Sequence, residues 1–417
     1  MEWVQQLKTM QHQFIRNRDF VLFSFMAWES DIGFNLKDMA FELAKHNRVL
    51  FVDRARDRKS MIGRNGTDKR KSSATARNSN LEKIRENFWI LYPKSVLESI
   101  NWLPSFKLYD YFNKINNKRL SREINEAVSV LGLKDVIFIN DNDFFRGFYQ
   151  MDLVRCQKYI FYIRDYLTIQ PYFKKFGVYY EQEMMKRADL VVANSSYLAE
   201  YASQWNKESF DIGQGCDLES FVVQDIPIPQ DLISIPRPII GYAGFLTGMR
   251  LDIDVIEHIA QSLPNCSIVL VGPADADFVN SKLHNYKNVY FLGQKSPDSI
   301  QQYVRYFDIC MNPQVVNLLT EGNYPRKIDE YLATGKPVVA TATKAMDMFK
   351  EFTFLCRNKE DFVQHIRKIL EDQRLISKDE ADRRTKFAME HTWQNCIGSL
   401  GDAYYHSESK KESAYGR

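Results

Sequence analysis

The sequence is poor in the features that mark secreted, metal-binding and membrane-spanning proteins. Its six cysteines stand singly, with no CxxC pair and no histidine at metal-ligand spacing, which indicates a reducing compartment and no structural zinc. The first residues lack the apolar core of a signal peptide, and nowhere do about 18 apolar residues run uninterrupted. The sequence therefore predicts a cytoplasmic protein that spans no membrane.

Net charge and the common nucleotide motifs are also lacking. Lys and Arg number 56 against 53 Asp and Glu, a balance of +3 that does not indicate a general nucleic-acid binder. There is no GxGxxG, no GxxxxGK[ST] and no nucleophile elbow around a serine or cysteine. Asp53 ends a predicted strand where a dinucleotide-binding acid would lie, but the turn before it, 28–35, holds the single glycine Gly33. Asp53 is therefore interpreted as a strand-end residue, and a dinucleotide oxidoreductase is not favoured.

What the sequence does have is a regular alternation of short apolar runs and helical stretches. At 417 residues with 45% hydrophobic residues, the chain is long enough for two or three domains. Apolar runs with helices between them predict parallel strands joined by crossover helices. In the first half the runs are 20–27, 48–53, 88–93, 135–141, 158–165 and 189–195, and in the second half they are 239–244, 266–272, 288–293, 308–313, 336–341 and 353–356. The proline-rich stretch 224–238 separates the two sets, so two doubly wound α/β domains with a linker are predicted.

The stretch YPRKIDEYLATGKPVV (324–339) predicts a loop, a short helix and a buried strand. Gly335 is suited to the position just after the helix, and Pro337 cannot continue it. Lys327 and Glu330 then lie one turn apart near the helix N-terminus, an end that favours phosphate. The alternative is a simple i, i+3 salt bridge on a solvated helix face.

Two other loops are predicted at the same edge of the second sheet. In GYAGFLTGMR (241–250), Gly244 and its neighbouring glycines would let the backbone approach a phosphate that Arg250 could neutralise, although a plain turn also explains them. The loop before the Lys327 helix carries Glu321, Gly322 and Asn323.

The second half resembles the donor-binding half of the GT-B glycosyltransferases, specifically the large retaining group called family four, or glycosyl transferases group 1. PRKIDEYLATGKPVV is similar to the signature P-x-K-x-x-E-Y-x-A-x-G-x-P-V-V of bacterial enzymes that build surface polysaccharides. The resemblance runs over most of 20–400. Other segments that carry it are GYAGF (241–245), IVLVGP (268–273), NVYFLGQKS (288–296), DICMNP (308–313), YIRDYL (162–167), ADLVVANSSYL (188–198) and IGQGCDLESF (212–221).

The resemblance implies a GT-B fold, in which two Rossmann-like doubly wound domains face each other across a cleft. It implies an acceptor-side domain at 1–223, the linker 224–238 and a donor-binding domain at 239–390. A C-terminal helix at about 391–405 is expected to pack back on the first domain.

The resemblance also assigns roles at the donor site. Glu330 matches the acidic residue that holds the ribose hydroxyls, and Lys327 is interpreted as the cation for the diphosphate leaving group, with Gly244, Arg250, Gly322 and Asn323 around them. There is one departure. The family has an earlier glutamate that contacts the sugar, whereas the position eight residues before Glu330 is Gly322 and Glu321 lies one residue off. The sugar contact is therefore assigned to Glu321, on a loop that Pro325 shapes differently.

On the acceptor side, the resemblance singles out Asp165, Trp28 and Gly33. Asp165 follows a predicted strand and could bind or deprotonate the acceptor hydroxyl, or it could cap the next helix. Trp28 and Gly33 resemble acceptor-loop positions, although a tryptophan in the core would look the same. The strings Asp141/Asp143, Asp252/Asp254 and Asp275/Asp277 are not interpreted as metal ligands.

The implied activity is that of a nucleotide-sugar-dependent hexosyltransferase of the EC 2.4 type. It would move a sugar from a nucleotide-diphosphate donor, UDP being the commonest among similar enzymes, to a hydroxyl of a glycan or lipid-linked acceptor, with retention and with no metal or other cofactor. The alternatives are a catalytically impaired subunit that binds nucleotide sugar and a nucleotide-sugar epimerase.

A basic stretch suggests a membrane partner. Residues 54–85 hold eleven Lys and Arg against three Asp and Glu and are predicted to form a mobile loop that settles on anionic lipid. The protein would then be peripheral on the inner face of the cell membrane. The apolar segment 99–112 could enter the interface beside it, although core packing is favoured for that segment, and a soluble linker without a partner is the alternative for 54–85.

Overall fold

The structure is a computed structural model that describes residues 12–30, 33–59, 79–223 and 226–415. Its contacts divide the chain into two compact units. The first combines the chain up to Gly215 with the segment from Trp393 onwards, and the second is Cys216–Thr392. The chain thus passes into the second unit before the predicted linker 224–238, and the contacts of 226–238 belong to the second unit.

The first unit contains an eight-stranded sheet that is parallel except for one edge. The strands are β1 Asp19–Phe23, β2 Arg48–Val52, β3 Leu81–Arg85, β4 Phe88–Leu91, β5 Ile137–Asp141, β6 Lys158–Ile163, β7 Leu190–Ala193 and β8 Ser209–Asp211. Their order is β3-β4-β2-β1-β5-β6-β7-β8, and β3 is antiparallel to β4. Chain order therefore reverses between β1 and β5, as in a doubly wound sheet.

Helices cover both faces of this sheet. They are α1 Asn35–Leu43, α2 Phe106–Val130, α3 Gln150–Leu153, α4 Pro171–Arg187, α5 Ser196–Ser203 and the last helix of the chain, α14 Trp393–Tyr415, with a 3-10 turn at Leu167–Ile169. Strands such as β1 are buried along their whole length because Val21 and Phe23 pack into one apolar layer while Phe20 and Leu22 pack into the other. This is why the parallel strands appear as continuous apolar runs in the sequence.

The prediction that 54–85 forms a loop is wrong at both ends of this stretch. Asp57 pairs with Leu97 in a parallel bridge, and Leu81–Arg85 forms the edge strand β3. The strand was not predicted because its sequence, LEKIR, is mostly polar, as suits a sheet edge in contact with water. Residues 60–78 of that stretch lie outside the described residues. No helix among the residues that the structure describes is long and apolar enough to cross a membrane.

The second unit contains a six-stranded sheet that is parallel throughout. Its strands are β9 Ile239–Ala243, β10 Ser267–Val271, β11 Val289–Gly293, β12 Ile309–Asn312, β13 Val338–Thr341 and β14 Phe354–Cys356. Their order is β11-β10-β9-β12-β13-β14, the Rossmann order 3-2-1-4-5-6. All six predicted strands of this half are confirmed within two residues at each end.

Helices also cover both faces of the second sheet. They are α6 Glu219–Val222, α7 Ile253–Ser262, α8 Ala276–Val279, α9 Ile300–Tyr306, α10 Leu318–Glu321, α11 Arg326–Ala333, α12 Lys359–Glu371 and α13 Lys378–Ala388. Shorter 3-10 turns lie at Gln230–Leu232, Lys282–Asn285, Pro297–Ser299, Lys344–Phe349 and Gln373–Ile376. Two apolar layers, one on each face, bury the strands. The prediction of two α/β domains with doubly wound parallel sheets is confirmed.

Candidate functional site

The second sheet has its topological switch point between β9 and β12, where a parallel sheet of this order binds ligands. The loop after β9 starts at Gly244, and the loop after β12 starts at Pro313. These loops pair with each other, because the Asp252 N–H donates to the Pro313 carbonyl over 2.9 Å and the Val315 N–H donates to the Arg250 carbonyl over 2.9 Å. The sequence prediction that both loops lie at one sheet edge is confirmed.

Glycines follow β9, which borders this crevice, and its other neighbour β10. Gly244 follows β9 with φ +147°, and Gly272 follows β10 with φ +143°, values that side-chain-bearing residues rarely adopt. A Cβ at Gly272 would overlap the carbonyl oxygen of Gly244, and a Cβ at Gly244 would lie 2.6 Å from Lys327 Nζ. The two strand ends therefore approach each other, and Lys327, with no side chain between them.

The short helix predicted within 324–339 forms where it was predicted. It spans Arg326–Ala333, its C-cap is Thr334, and Gly335 has φ +76°. The Ala243 N–H donates to the Tyr331 hydroxyl over 2.9 Å, which fixes the second turn of the helix against the end of β9. The helix N-terminus is thereby directed to the carboxyl edge of the sheet, where its free N–H groups favour an anion.

A buried carboxylate anchors the first turn of this helix. Asp329 is fully buried, accepts a hydrogen bond from the Tyr324 hydroxyl over 2.7 Å and lies 2.7 Å from His391 Nδ1. The Cys216 thiol lies 3.6 Å from the same carboxylate. Asp329 thus ties the loop before the helix to the end of the second unit.

We expect Asp329→Asn to lower the free energy of unfolding by about 1–3 kcal/mol, because an amide cannot accept from all of these buried partners. Urea unfolding followed by circular dichroism measures this. Asp347→Asn, an exposed substitution in the same unit, is the control and should change little. Equal stability of the two variants would contradict the anchoring role.

Half-buried charges of both signs gather along the first turns of this helix. Lys327 Nζ donates to the buried Tyr242 hydroxyl and lies 4.0 Å from the centre of that ring, so its ammonium is directed at Tyr242 and not at Glu330. Burial raises the pKa of Glu330, and the cations Arg326 and Lys327 lower it in part. The alternative of a solvated Lys327–Glu330 salt bridge is therefore wrong. Arg326, which the sequence reasoning missed, adds a second cation at the helix start.

The remaining predicted donor-side residues lie in the loop after β9 and in the segment before α11. Arg250 is exposed in the loop after β9. Glu321 is half-buried at the end of the four-residue helix α10, and Gly322 and Asn323 lie between that helix and α11. Their roles at the site stay predictions.

In the first unit, the last residue of β5 and the residues just after β6 form a charged group. Arg164 bridges two carboxylates, with Nε 2.7 Å from Asp141 Oδ1 and Nη1 2.8 Å from Asp165 Oδ2. Burial raises the pKa of Asp141, and the Arg164 guanidinium opposes that shift. The Asn142 side chain donates to the Asp165 carbonyl over 2.9 Å. The helical segments that follow start at Leu167 and Pro171 without a side-chain cap, so the alternative that Asp165 caps a helix is wrong.

Trp28 belongs to an aromatic cluster of the first unit. Its ring lies 5.0 Å from that of Phe51 and 5.6 Å from those of Phe41 and Phe88. The backbone N–H of Trp28 donates to Asp53 Oδ1 over 2.7 Å, which gives Asp53 a structural role at the end of β2. Gly33 has open space around it. Trp28 therefore has the core contacts that the alternative described, and the acceptor roles of both residues stay predictions.

The repeated aspartates have local structural roles. Asp252 and Asp275 accept hydrogen bonds from the backbone at the start of α7 and α8, and Asp143 accepts from the Arg146 N–H over 2.9 Å. Among the described residues, no three His, Cys, Asp or Glu side chains gather as a metal site.

Sequence comparison relates the second unit to a known family. Residues 237–372 match the family Glycosyl transferases group 1. TuaH, a protein of Bacillus subtilis (strain 168) named as a teichuronic acid biosynthesis glycosyltransferase, is 25% identical over 169 residues. That alignment covers 39% of this chain and 42% of TuaH, so the match spans less than half of the relative.

Structure comparison extends over almost the whole chain. Sucrose-phosphate synthase from Thermosynechococcus elongatus matches 94% of this chain and 100% of its own with a TM-score of 0.65 at 14% identity. Anabaena Alr3699/HepE, solved in complex with UDP and glucose, matches 95% of this chain and 99% of its own with a TM-score of 0.58 at 16% identity. The catalytic domain of starch synthase IV from Arabidopsis thaliana matches 95% of this chain and 100% of its own with a TM-score of 0.62 at 11% identity. At these identities the likeness shows the fold, which is GT-B.

Proposed function

We propose that this chain, which carries a Glycosyl transferases group 1 domain in a GT-B fold, transfers a sugar from a nucleotide-diphosphate donor to a hydroxyl acceptor. The donor is a UDP-sugar, and the acceptor is a growing glycan or a lipid-linked sugar in polysaccharide biosynthesis. The anomeric configuration is retained, and no metal or other cofactor takes part. The match to TuaH and the UDP complex of HepE support this choice of pathway class and nucleotide.

One observation carries the donor assignment. At the switch point of the second sheet, α11 begins at Arg326, and the Lys327 ammonium lies close to Gly244, where the ends of β9 and β10 meet without side chains between them. A diphosphate needs this combination of cations, free N–H groups and a backbone without side chains in the way. Glu330, one turn further along the helix, then accepts hydrogen bonds from the two vicinal ribose hydroxyls.

The acceptor side is proposed at the carboxyl edge of the first sheet, around Asp165. The contact of Arg164 Nη1 with Asp165 Oδ2 holds the Asp165 carboxylate in one orientation. In this proposal the carboxylate accepts a hydrogen bond from the acceptor hydroxyl. Glu321 is proposed to contact the donor sugar. Trp28 and Gly33 complete the acceptor loop in this proposal, and the enzyme acts at the cytoplasmic face of a membrane.

The first experiment is a thermal-shift panel of nucleoside diphosphates and their sugars on the full chain and on Glu330→Gln. We expect one diphosphate class, UDP, to stabilise the wild type and the variant to lose about 1 kcal/mol or more of binding free energy, since an amide is a poorer acceptor for two hydroxyls. The control is Glu257→Gln, an exchange on helix α7 in the same unit.

The outcomes separate the possible functions. Stabilisation by one diphosphate that Glu330→Gln weakens, together with sugar transfer when acceptors are added, is the expected result. Stabilisation without transfer or hydrolysis identifies a binding subunit, and conversion of the nucleotide sugar without an acceptor identifies an epimerase. Absence of any nucleotide-dependent shift would contradict the donor site itself.

A further inference from the structure

The first unit exposes several large aromatic side chains, which most globular proteins bury. Trp102 is 75% exposed, Tyr111 is 63% exposed and Tyr172 is 60% exposed, and Tyr179 and Leu108 are about half exposed. Core packing was predicted for 99–112. It holds for the buried Leu103 and Tyr109 and is wrong for the outward side chains of the same segment.

These residues form one continuous surface, called here the aromatic face: the loop Asn101–Ser105, the outer side of α2 from Phe106 to Lys118 and the first two turns of α4. The Phe106 and Tyr179 rings meet edge to face at 4.8 Å. The Asn101 side chain donates to the Tyr172 carbonyl over 2.9 Å. Lys175 Nζ donates to the Leu103 carbonyl over 2.8 Å, so three chain segments are held together under the exposed rings.

Lysines alternate with the aromatic residues on this face. Lys107, Tyr111, Lys114 and Lys118 follow each other at spacings of four, three and four residues, which places them on one side of α2. Lys175, which shares a side of α4 with Tyr172 and Tyr179, adds its ammonium where it donates to the Leu103 carbonyl. The aromatic face is therefore basic as well as apolar.

The acidic side chains near this face already have partners. Asp110 accepts hydrogen bonds from the Tyr149 and Tyr180 hydroxyls over 2.6 and 2.7 Å. Glu98 is paired with Arg58 and with Arg119. Among the described residues, the exposed lysines on this side of α2 thus form no ion pair, and they would attract a surface of opposite sign.

A small apolar cavity opens at the edge of the face. It has a volume of about 420 Å³, and Ile100, Trp102, Leu103 and Phe112 form much of its wall. The charged side chains at its rim are Glu98 and the two arginines paired with it, so the attraction for an anionic headgroup comes from the lysines of α2. The apolar walls suit an acyl chain and suit a polar protein surface poorly.

We propose that the aromatic face docks on an anionic lipid bilayer, with Trp102 and its neighbouring rings at the headgroup level and the lysines on the lipid phosphates. Tryptophan and tyrosine favour the membrane interface because their rings are amphipathic, and lysines next to them bind anionic lipid. Tyr172 lies in the first turn of α4, which begins six residues after Asp165, and the Asn101 hydrogen bond to the Tyr172 carbonyl holds the Trp102 loop beside it. Phe173 of that helix contacts Phe25 after β1 at 5.9 Å, which places the face next to the carboxyl edge of the first sheet.

The consequence for the reaction rests on the proposed function. If Asp165 lies at the acceptor site, docking brings that site to the membrane and selects an acceptor whose sugar is attached to a lipid. The docking itself does not depend on this, because it needs neither nucleotide nor acceptor.

The test is flotation of the full chain with vesicles of phosphatidylcholine alone and of phosphatidylcholine mixed with phosphatidylglycerol. We expect binding to the anionic vesicles only, weakened by salt. Lys107→Glu with Lys118→Glu, both exposed on the same side of α2, should reduce the partition constant roughly thirtyfold or more, from the usual contribution of each basic residue near the surface. The matched control, Lys282→Glu with Lys287→Glu on the second unit, should change it far less.

A second variant tests the aromatic contribution. Trp102→Ser should weaken binding and remove most of the blue shift in tryptophan fluorescence that vesicles cause, whereas Trp102→Phe should retain the binding. Ile233→Ser, at a residue 63% exposed on the second unit, is the control for loss of an exposed apolar side chain. Melting curves of all variants show that the fold is intact.

Several results would overturn the proposal. These are equal binding to neutral and anionic vesicles, no binding to either, and binding that the aromatic-face variants leave unchanged. Concentration-dependent dimerisation that Trp102→Ser abolishes, without vesicle binding, would assign the face to a second copy instead. Nucleotide-dependent thermal shifts in the same variants are expected to match the wild type, so a failure of the donor assignment is seen separately from a failure of docking.

Discussion

Lys327→Ala should lower kcat by about 2–4 kcal/mol of activation free energy, or roughly 30- to 1,000-fold, while the KM for the donor changes much less. The diphosphate gathers negative charge as the glycosidic bond breaks, so a cation that faces it stabilises the transition state more than the bound donor. Lys327 lies at the start of α11 with its ammonium between Gly244 and the Tyr242 ring, within reach of the crevice. Steady-state kinetics of sugar transfer with saturating acceptor measure the effect.

Two further variants make this result specific. Tyr242→Phe keeps the ring that Lys327 contacts and removes only the hydroxyl, so it should cost far less than Lys327→Ala. Lys287→Ala removes an exposed lysine just before β11, away from the carboxyl edge, and should behave as the wild type. If Lys327→Ala raises KM and leaves kcat unchanged, the ammonium binds donor and transition state equally and the leaving-group role is wrong.

The sequence was most informative where local rules and burial agree. Strands of the second sheet are buried on both faces, so each appears as an apolar run, and all six were predicted. The helix Arg326–Ala333 was predicted because Gly335 and Pro337 mark its end. The edge strand β3 and the three-residue strand β8 were missed, since one is polar and the other too short to show a pattern.

Features that depend on tertiary contacts could not be predicted. Arg164 follows a buried strand, and only the structure shows that it bridges Asp141 and Asp165. The exposure of Trp102 was missed because an apolar residue in a mixed segment gives no sign of which side faces the core. Gly272 was visible as the glycine after a strand, but its contact with Gly244 joins residues far apart in the chain.

Gly272→Ala should destabilise the second unit by about 3 kcal/mol or more and weaken nucleotide binding as well. Gly272 has φ +143°, which costs an alanine about 1–3 kcal/mol, and the added Cβ would overlap the Gly244 carbonyl oxygen. Relief of that overlap must move one of the two strand ends. The Gly244 N–H donates to the Val271 carbonyl over 2.8 Å, so a shift at the end of β10 also moves the loop after β9 that starts at Gly244.

The two units allow the effect to be localised. All six tryptophans lie outside 216–392, so their fluorescence reports on the first unit, and hydrogen exchange of peptides from 216–392 reports on the second. We expect faster hydrogen exchange around β9, β10 and α11 in Gly272→Ala, with the tryptophan emission unchanged.

Gly293→Ala is the matched control. Gly293 also has a positive φ, +69°, but no atom lies within 4 Å of an added Cβ, so this variant should lose only about 1 kcal/mol of stability. If both alanine variants exchange equally, backbone conformation alone requires these glycines. If Gly272→Ala destabilises the second unit less than Gly293→Ala does, the close approach of the two strand ends plays no part in forming the donor site.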